Sequence, residues 1–129
     1  MKIPILRLGD ILLTSIQIDL TDQDALDFQA DALEMVAQTE AQGLVIDISA
    51  LDVVDSFIAR VLNDTANMVR ILGAEVVISG MQPLVALALM EMGRTLIGVE
   101  TALNLEQGVE KLQRLIEGEE KDDDEEQSG

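Results

Sequence analysis

The stretch "LVIDISALDVVDSFIARVL", residues 44–62, contains two patterns in succession. Residues 44–48 are apolar apart from Asp47, and a short apolar run of this kind predicts a buried β-strand. From Ser56 onward, apolar side chains recur at the spacing of an amphipathic helix, which is predicted to end before Gly73. A buried strand, a short acidic loop and an amphipathic helix together predict a domain in which helices pack on a sheet.

The rest of the chain repeats this alternation after an opening hairpin across Gly9 and Asp10. The predicted fold class is α/β, with a mixed sheet that starts with a β-hairpin, continues with alternating strands and helices, and is packed with about four helices. The strands at 44–48 and 75–79 are joined by a helix and are predicted to be parallel. The other predicted elements are strands at 3–8 and 11–16, a helix from Thr21 or Asp22 to about Gln42, stopped by Gly43, a helix at 83–93, a weak strand at 96–99 and a helix at 104–117.

The periodicity of each helix predicts which side chains face the core. For the first helix these are Leu26, Ala30, Leu33 and Ala37, with Asp24, Asp27, Asp31 and Glu34 outward. For the second they are Phe57, Ile58, Val61, Leu62, Ala66, Val69 and Leu72, and for the last Leu105, Val109, Leu112 and Ile116. The helix at 83–93 is apolar on nearly every side. We expect it to be buried within the monomer, and the alternative is an oligomer interface.

The composition excludes several classes of function. The chain has 129 residues and a formal net charge of −17, so we expect no nucleic acid partner and no membrane partner. It contains no cysteine and no histidine, which removes thiol chemistry and the commonest general base. No signal peptide and no membrane-spanning apolar run are apparent, so a cytoplasmic location is expected.

The C-terminal end differs from the rest of the chain. From Glu117 onward it carries eight acidic residues and one lysine. A block of like charge without apolar side chains cannot bury surface, so residues 118–129 are predicted to form an acidic disordered tail after a domain at residues 1–117. Such a tail increases solubility, and the alternative is a contact for a basic partner.

The reactive side chains do not form a recognisable active site. There is no glycine-rich phosphate loop, and we predict no cofactor, no metal and no catalytic residue. Asp47, Asp52 and Asp55 could hold magnesium, but the helix dipole also favours carboxylates at this position without a metal. A phosphoacceptor receiver domain would also have an acidic loop, but it would not open with a hairpin. We therefore predict a protein that is not an enzyme.

Ser56 has two interpretations, which are compatible. It is predicted to be the N-cap of the second helix, where its hydroxyl would contribute ~0.5–2 kcal/mol. Arg60, Asn63 and Asn67 follow it at helical spacing and are predicted to share one exposed polar ridge with it. A phosphate on Ser56 would meet the free N–H groups of the helix but would be opposed by Asp52 and Asp55. It would add about −1.5 to −2 of charge to the ridge and could abolish docking of a partner.

The order of elements and the sequence "VIDISALDVVDSFIARVL" resemble the STAS domain of bacterial anti-sigma-factor antagonists. That family has an apolar strand ending in D-[IL]-S, a loop, and D-S-[ST]-G at the start of a helix. Asp47, Ile48, Ser49, Asp55 and Ser56 match this pattern. The chain departs from it in "DSFIAR", which is more similar to the RsbS-type scaffold proteins of the stressosome and leaves one hydroxyl in the motif.

The resemblance implies a non-enzymatic regulatory scaffold of a stress-signalling complex. It implies that the scaffold sequesters a serine/threonine switch kinase, that this kinase phosphorylates Ser56, and that the kinase is then released. It also implies a phosphatase that removes the phosphate from Ser56. It also implies an oligomer with related STAS co-antagonist proteins. The predicted partner-binding residues are Asp55, Ser56, Arg60, Asn63 and Asn67. The alternatives are a simple anti-sigma-factor antagonist that binds its anti-sigma kinase directly and a metal- or nucleotide-dependent enzyme.

Overall fold

The computed structural model describes residues 2–17, 19–91 and 99–128, with side chains described as far as Gly118. Within these residues the chain forms a sheet of five strands with four helices, as the sequence predicts. The elements are β1 (Ile5–Leu8), β2 (Ile11–Ser15), α1 (Asp22–Thr39), β3 (Gly43–Asp47), α2 (Ser56–Ile71), β4 (Glu75–Ser79), α3 (Pro83–Glu91), β5 (Glu100–Ala102) and α4 (Leu105–Ser128).

The strands lie in the order β1-β2-β3-β4-β5, which is their order in the sequence. β1 and β2 are antiparallel and joined by a tight turn in which Gly9 has a φ of 62°. All other neighbouring strands are parallel, so the mixed sheet and the parallel pairing of β3 with β4 are confirmed. The carboxyl ends of β2, β3, β4 and β5 therefore meet along one edge of the sheet.

The two faces of the sheet are covered differently. On one face, side chains of β2, β3 and β4 form a large aliphatic core with the buried faces of α1, α2 and α3. On the other face, Leu112 of α4 is fully buried against a smaller cluster that contains Ile11, Val45 and Val77. α4 lies close to the sheet at Gly43, where an added Cβ would approach Leu112 to 2.6 Å. Gly43 is thus the first residue of β3 and not the end of α1.

The predicted core face of α1 is wrong, because the buried side chains lie one or two residues earlier in the sequence than the predicted ones. The buried residues are Ala25, Phe28, Ala32 and Val36, whereas Leu26 is exposed. The small side chains of Ala25 and Ala32 allow α1 to approach the core closely around Phe28, whose side chain is almost fully buried. α1 also ends earlier than predicted, at Thr39, because Glu40 adopts the left-handed conformation with a φ of 53°.

The apolar side chains of α3 are not enclosed, contrary to the expectation of burial within the monomer. Val85 and Leu89 are buried, but Leu84 is 68% exposed, Leu87 is 54% exposed and Met90 is 72% exposed. α3 packs on one side only, so its opposite face presents apolar surface among the described residues. Exposure of this kind is typical of a surface that contacts another protein.

Other differences concern element ends. Leu72 is 52% exposed and Leu105 is 37% exposed although both were predicted to be buried, since both lie at the ends of their helices. The weak strand predicted at 96–99 falls mostly on residues 92–98, which lie outside the described residues, and β5 is found at Glu100–Ala102.

α4 continues to Ser128 and so includes most of the acidic segment that was predicted to be a disordered tail. The side chains after Gly118 are outside the described residues, so the boundary at 117 and the disorder of 118–129 stay predictions. No helix in the described ranges is both long enough and apolar enough to cross a membrane.

Candidate functional site at the start of α2

Three polar residues end three neighbouring strands at the same edge of the sheet. Ser15 of β2 is the register partner of Asp47 in β3, and Asp47 is the register partner of Ser79 in β4. Parallel strands bring their carboxyl ends together, so this polar row follows from the topology. The sequence contained a signal for it, because each of these strands ends in a polar residue after an apolar run, but only Asp47 was singled out.

Asp47 is only 4% exposed, and serine hydroxyls surround its carboxylate. Oδ1 accepts a hydrogen bond from the Ser79 hydroxyl at 2.8 Å. Oδ2 accepts one from the Ser49 hydroxyl at 2.6 Å and a longer one from the Ser15 hydroxyl at 3.3 Å. A buried carboxylate needs several donors to offset the loss of water. Asp47 is therefore a structural residue that joins β2, β3 and β4.

The loop at 48–55 is held in place by buried side chains at every third residue. Ile48, Leu51 and Val54 are buried in the core on the α1 and α2 face. The Ser49 carbonyl accepts a hydrogen bond from the side-chain amide of Gln82 at 2.7 Å, which connects the loop to the start of α3. Close packing against Gly80 adds to this, since a Cβ there would lie 2.6 Å from the Cβ of Ser49. The loop thus presents the start of α2 in a defined position.

The sequence predicted Ser56 as the N-cap of α2. This prediction is wrong, because the N-cap is Asp55. The Asp55 side chain accepts a hydrogen bond from the Ile58 N–H at 2.8 Å, and the Asp55 carbonyl accepts one from the Ala59 N–H at 2.9 Å. Asp and Ser are equally good caps, so sequence alone could not choose between adjacent candidates. Ser56 becomes the first helical residue, and its hydroxyl makes no hydrogen bond to any described residue.

The ridge predicted to follow Ser56 is only partly exposed. Ser56 and Arg60 are exposed, whereas Asn63 and Asn67 are partly buried. The Oδ1 atom of Asn63 is itself buried and accepts no hydrogen bond from the described residues. Phe57 is also half-buried and packs against the core. Of the predicted ridge, Ser56 and Arg60 are therefore the residues most accessible to a partner.

The surroundings of Ser56 are acidic. Asp19, Asp52 and Asp55 line a surface cavity of about 280 Å³ together with apolar side chains that include Val53. The three aspartates of the alternative magnesium site do not come together, because Asp47 is buried among serines while Asp52 and Asp55 are exposed. Across the described ranges, no group of three or more acidic residues is placed to hold a metal ion.

Comparison with known proteins identifies the family. A model of the STAS domain matches residues 2–107 of the chain. The chain belongs to the STAS domain family. Moorella thermoacetica RsbS, in a structure that carries a serine-to-glutamate substitution, is 42% identical with a TM-score of 0.81, and the match covers 89% of this chain and 97% of that one.

Two further relatives agree with this assignment. A chain in the structure of the stressosome, described as a signal integration and transduction hub, is 44% identical with a TM-score of 0.78, and the match covers 87% of this chain and 97% of that one. The RsbT co-antagonist protein RsbRA of Bacillus subtilis (strain 168) is 30% identical over 78 residues, which is 60% of this chain but 28% of that protein. The predicted resemblance to RsbS-type STAS proteins is confirmed.

Proposed function

We propose that the chain is a non-enzymatic scaffold of a stressosome-type complex that holds a serine/threonine switch kinase and releases it when Ser56 is phosphorylated. One observation carries the proposal. The Ser56 hydroxyl is exposed at the first position of α2 and has no hydrogen bond to the described residues, because the neighbouring Asp55 provides the cap. A hydroxyl that the fold does not use is free to be modified.

The chemistry requires little of the scaffold itself. The Ser56 oxygen would bond to the γ-phosphorus of ATP while the bond from that phosphorus to the ADP oxygen breaks, and the hydroxyl proton would pass to a base of the kinase. A phosphatase would hydrolyse the phosphoserine and restore the hydroxyl. Leu51 and Val54 anchor the loop before Ser56 in the core, so the modification would not require the loop to move.

Burial separates Ser56 from Ser79 and Thr65, two other hydroxyls of the same region of the chain. Ser79 and Thr65 are fully buried, and both are hydrogen-bonded. A kinase active site would need local unfolding to reach either of them. Ser49 is exposed, but its hydroxyl is engaged by the Asp47 carboxylate.

Assembly with related STAS proteins is supported by two observations. The 44% identical relative is a chain of the stressosome, and the exposed apolar face of α3 offers a surface of the kind that subunit contacts bury. We also propose a cytoplasmic location, where the kinase and ATP are available. Asp55, Arg60, Asn63 and Asn67 remain the proposed partner contacts beside Ser56, with Arg60 the most accessible of the last three.

The direct test is incubation of the chain with ATP and the switch kinase of the same genome, followed by mass spectrometry. Phosphate is expected on Ser56, and Ser56→Ala should abolish it while the kinase stays bound. Ser56→Asp should weaken kinase binding through its charge, whereas the matched neutral variant Ser56→Asn should weaken it less. Phosphate found only on Ser79 or Thr65 would contradict the proposal.

Size-exclusion chromatography distinguishes the scaffold from the alternative antagonist. Mixing the chain with a larger STAS co-antagonist should give a very large complex that retains the kinase. A chain that stays monomeric in this mixture, and binds an anti-sigma kinase alone, would instead be a simple antagonist.

A further inference from the structure

Arg60 lies one helical turn after Ser56 and is exposed. Its guanidinium forms no salt bridge and no hydrogen bond with the part of the chain that the structure describes. The other arginine of α2, Arg70, is at the far end of the helix and pairs with Glu75 at 3.3 Å. Arg60 is therefore the cation of α2 that is placed to meet a group on Ser56.

The nearby anionic groups do not occupy Arg60. Asp19, Asp52 and Asp55 lie around the cavity before the start of α2, and Asp55 is engaged as the cap. Asp64 is four residues after Arg60 but makes no ion pair with it. In a helix, an acid followed by a base four residues later is the favourable order, and the reverse order is weaker. A negative charge at position 56 has the favourable order relative to Arg60.

We propose that Arg60 binds the phosphate of phosphorylated Ser56 and is thereby removed from the surface that the kinase contacts. The inference deepens the proposed function and rests on its claim that Ser56 is phosphorylated. Once the Ser56 oxygen has bonded to the phosphorus and ADP has left, the phosphate oxygens accept hydrogen bonds from the guanidinium. Arginine is suited to this because its planar donors fit a phosphate.

This contact gives the modification two effects on one surface. The phosphate adds negative charge where Asp52 and Asp55 already repel anions, and the bound guanidinium is no longer available to an acidic group of the kinase. Without Arg60, the phosphate would meet the free N–H groups of the first turn and the carboxylates of Asp52 and Asp55, but no cationic side chain of α2. The contact also holds the phosphate against the first turn of α2, which suits release of a partner without refolding of the domain.

The test uses the full chain with phosphoserine placed at position 56 by chemical synthesis and ligation, so that it does not depend on any kinase. Phosphorus NMR over a pH titration gives the second pKa of the phosphate. A bound guanidinium favours the dianion, so this pKa should be lower in the unaltered sequence than in Arg60→Gln. Arg60→Lys should restore part of the difference, since it keeps the charge but not the planar donors.

Arg70→Gln is the matched control. It changes the net charge by the same amount, but Arg70 lies about 20 Å from Ser56 along the helix axis. At that distance salt screens most of the effect, so the phosphate pKa should stay at the unaltered value. A pKa that is the same in Arg60→Gln and in the unaltered chain would overturn the contact, and so would equal shifts in Arg60→Gln and Arg70→Gln. An Arg60-dependent pKa combined with no phosphorylation of Ser56 by the kinase would support the contact and overturn the proposed function.

Discussion

Two Asp and Ser groups lie close together in the sequence and have opposite roles in the structure. Asp47 and Ser49 are hydrogen-bonded to each other at the end of β3, where the carboxylate is nearly inaccessible to water. Asp55 and Ser56 begin α2 at the surface, and their side chains have no such bond, because Asp55 binds a backbone N–H instead. In the first pair the hydroxyl is hydrogen-bonded to the carboxylate, while in the second pair the hydroxyl stays accessible.

This difference shows that the residue types of a polar motif do not by themselves determine its role in the structure. Both groups belong to the pattern that identifies the family, and their residue types are the same. What separates them is where the strand ends and the helix begins. The hydroxyl of Ser49 is bound to a buried carboxylate and so contributes to the fold, whereas the hydroxyl of Ser56 makes no hydrogen bond to the described residues.

The largest effect is expected for Asp47→Ala. This change removes the acceptor of three serine hydroxyls and leaves the buried Ser79 hydroxyl without a partner. Loss of a buried charged acceptor should lower the free energy of unfolding by about 3 kcal/mol. Urea unfolding followed by circular dichroism measures this.

The control is Asp52→Asn, which changes an exposed carboxylate in the same loop and should alter stability by less than about 0.5 kcal/mol. Asp47→Asn keeps one acceptor oxygen, so its loss of unfolding free energy should lie between those of Asp47→Ala and Asp52→Asn. If Asp47→Ala were as mild as Asp52→Asn, the two Asp and Ser groups would not differ in the way described.

A smaller effect is expected at the start of α2. Asp55→Ala removes the N-cap and should cost about 1 kcal/mol, while Ser56→Ala should be close to neutral because its hydroxyl caps nothing. Thermal unfolding of both variants beside the unaltered chain gives the comparison. A larger loss for Ser56→Ala than for Asp55→Ala would mean that Ser56 is the cap in solution.

The smallest effect is expected at the C-terminus. Truncation after Glu117 removes the acidic segment, for which the sequence predicts no packing, so the melting temperature should change by no more than about 1 °C. Calorimetry of the full and truncated chains at the same ionic strength is the measurement. A fall of many degrees would show that the segment stabilises the domain.

The sequence predicted the order of elements, the mixed sheet and the parallel pairing of β3 with β4 correctly, because strong periodic patterns and glycines mark these elements. It failed on the face of α1, where Leu26 and Leu33 dominated the pattern although the true core face contains Phe28 and two alanines. Small side chains carry little weight in a hydrophobic pattern, yet close packing between helices depends on them. Which face of α1 packs against the core is therefore determined by the tertiary structure.

At the candidate site, the sequence identified the right segment but not the roles of its residues. It placed the cap one residue late, at Ser56, because Asp and Ser are both good caps. It also missed the partnership of Asp47 with Ser15 and Ser79, which depends on strand register. Exposure of α3 could not be predicted either, since its apolar residues fit burial in the monomer as well as burial in an assembly.

The aliphatic core has a practical consequence for observing this surface. The chain contains no tryptophan and no tyrosine, so it has almost no ultraviolet fluorescence of its own. One of its two aromatic residues, Phe57, is half-buried directly beside Ser56. A single indole introduced at that position would emit against a dark background. Its emission wavelength would then report, from one place in the protein, whether the proposed kinase covers and leaves the start of α2.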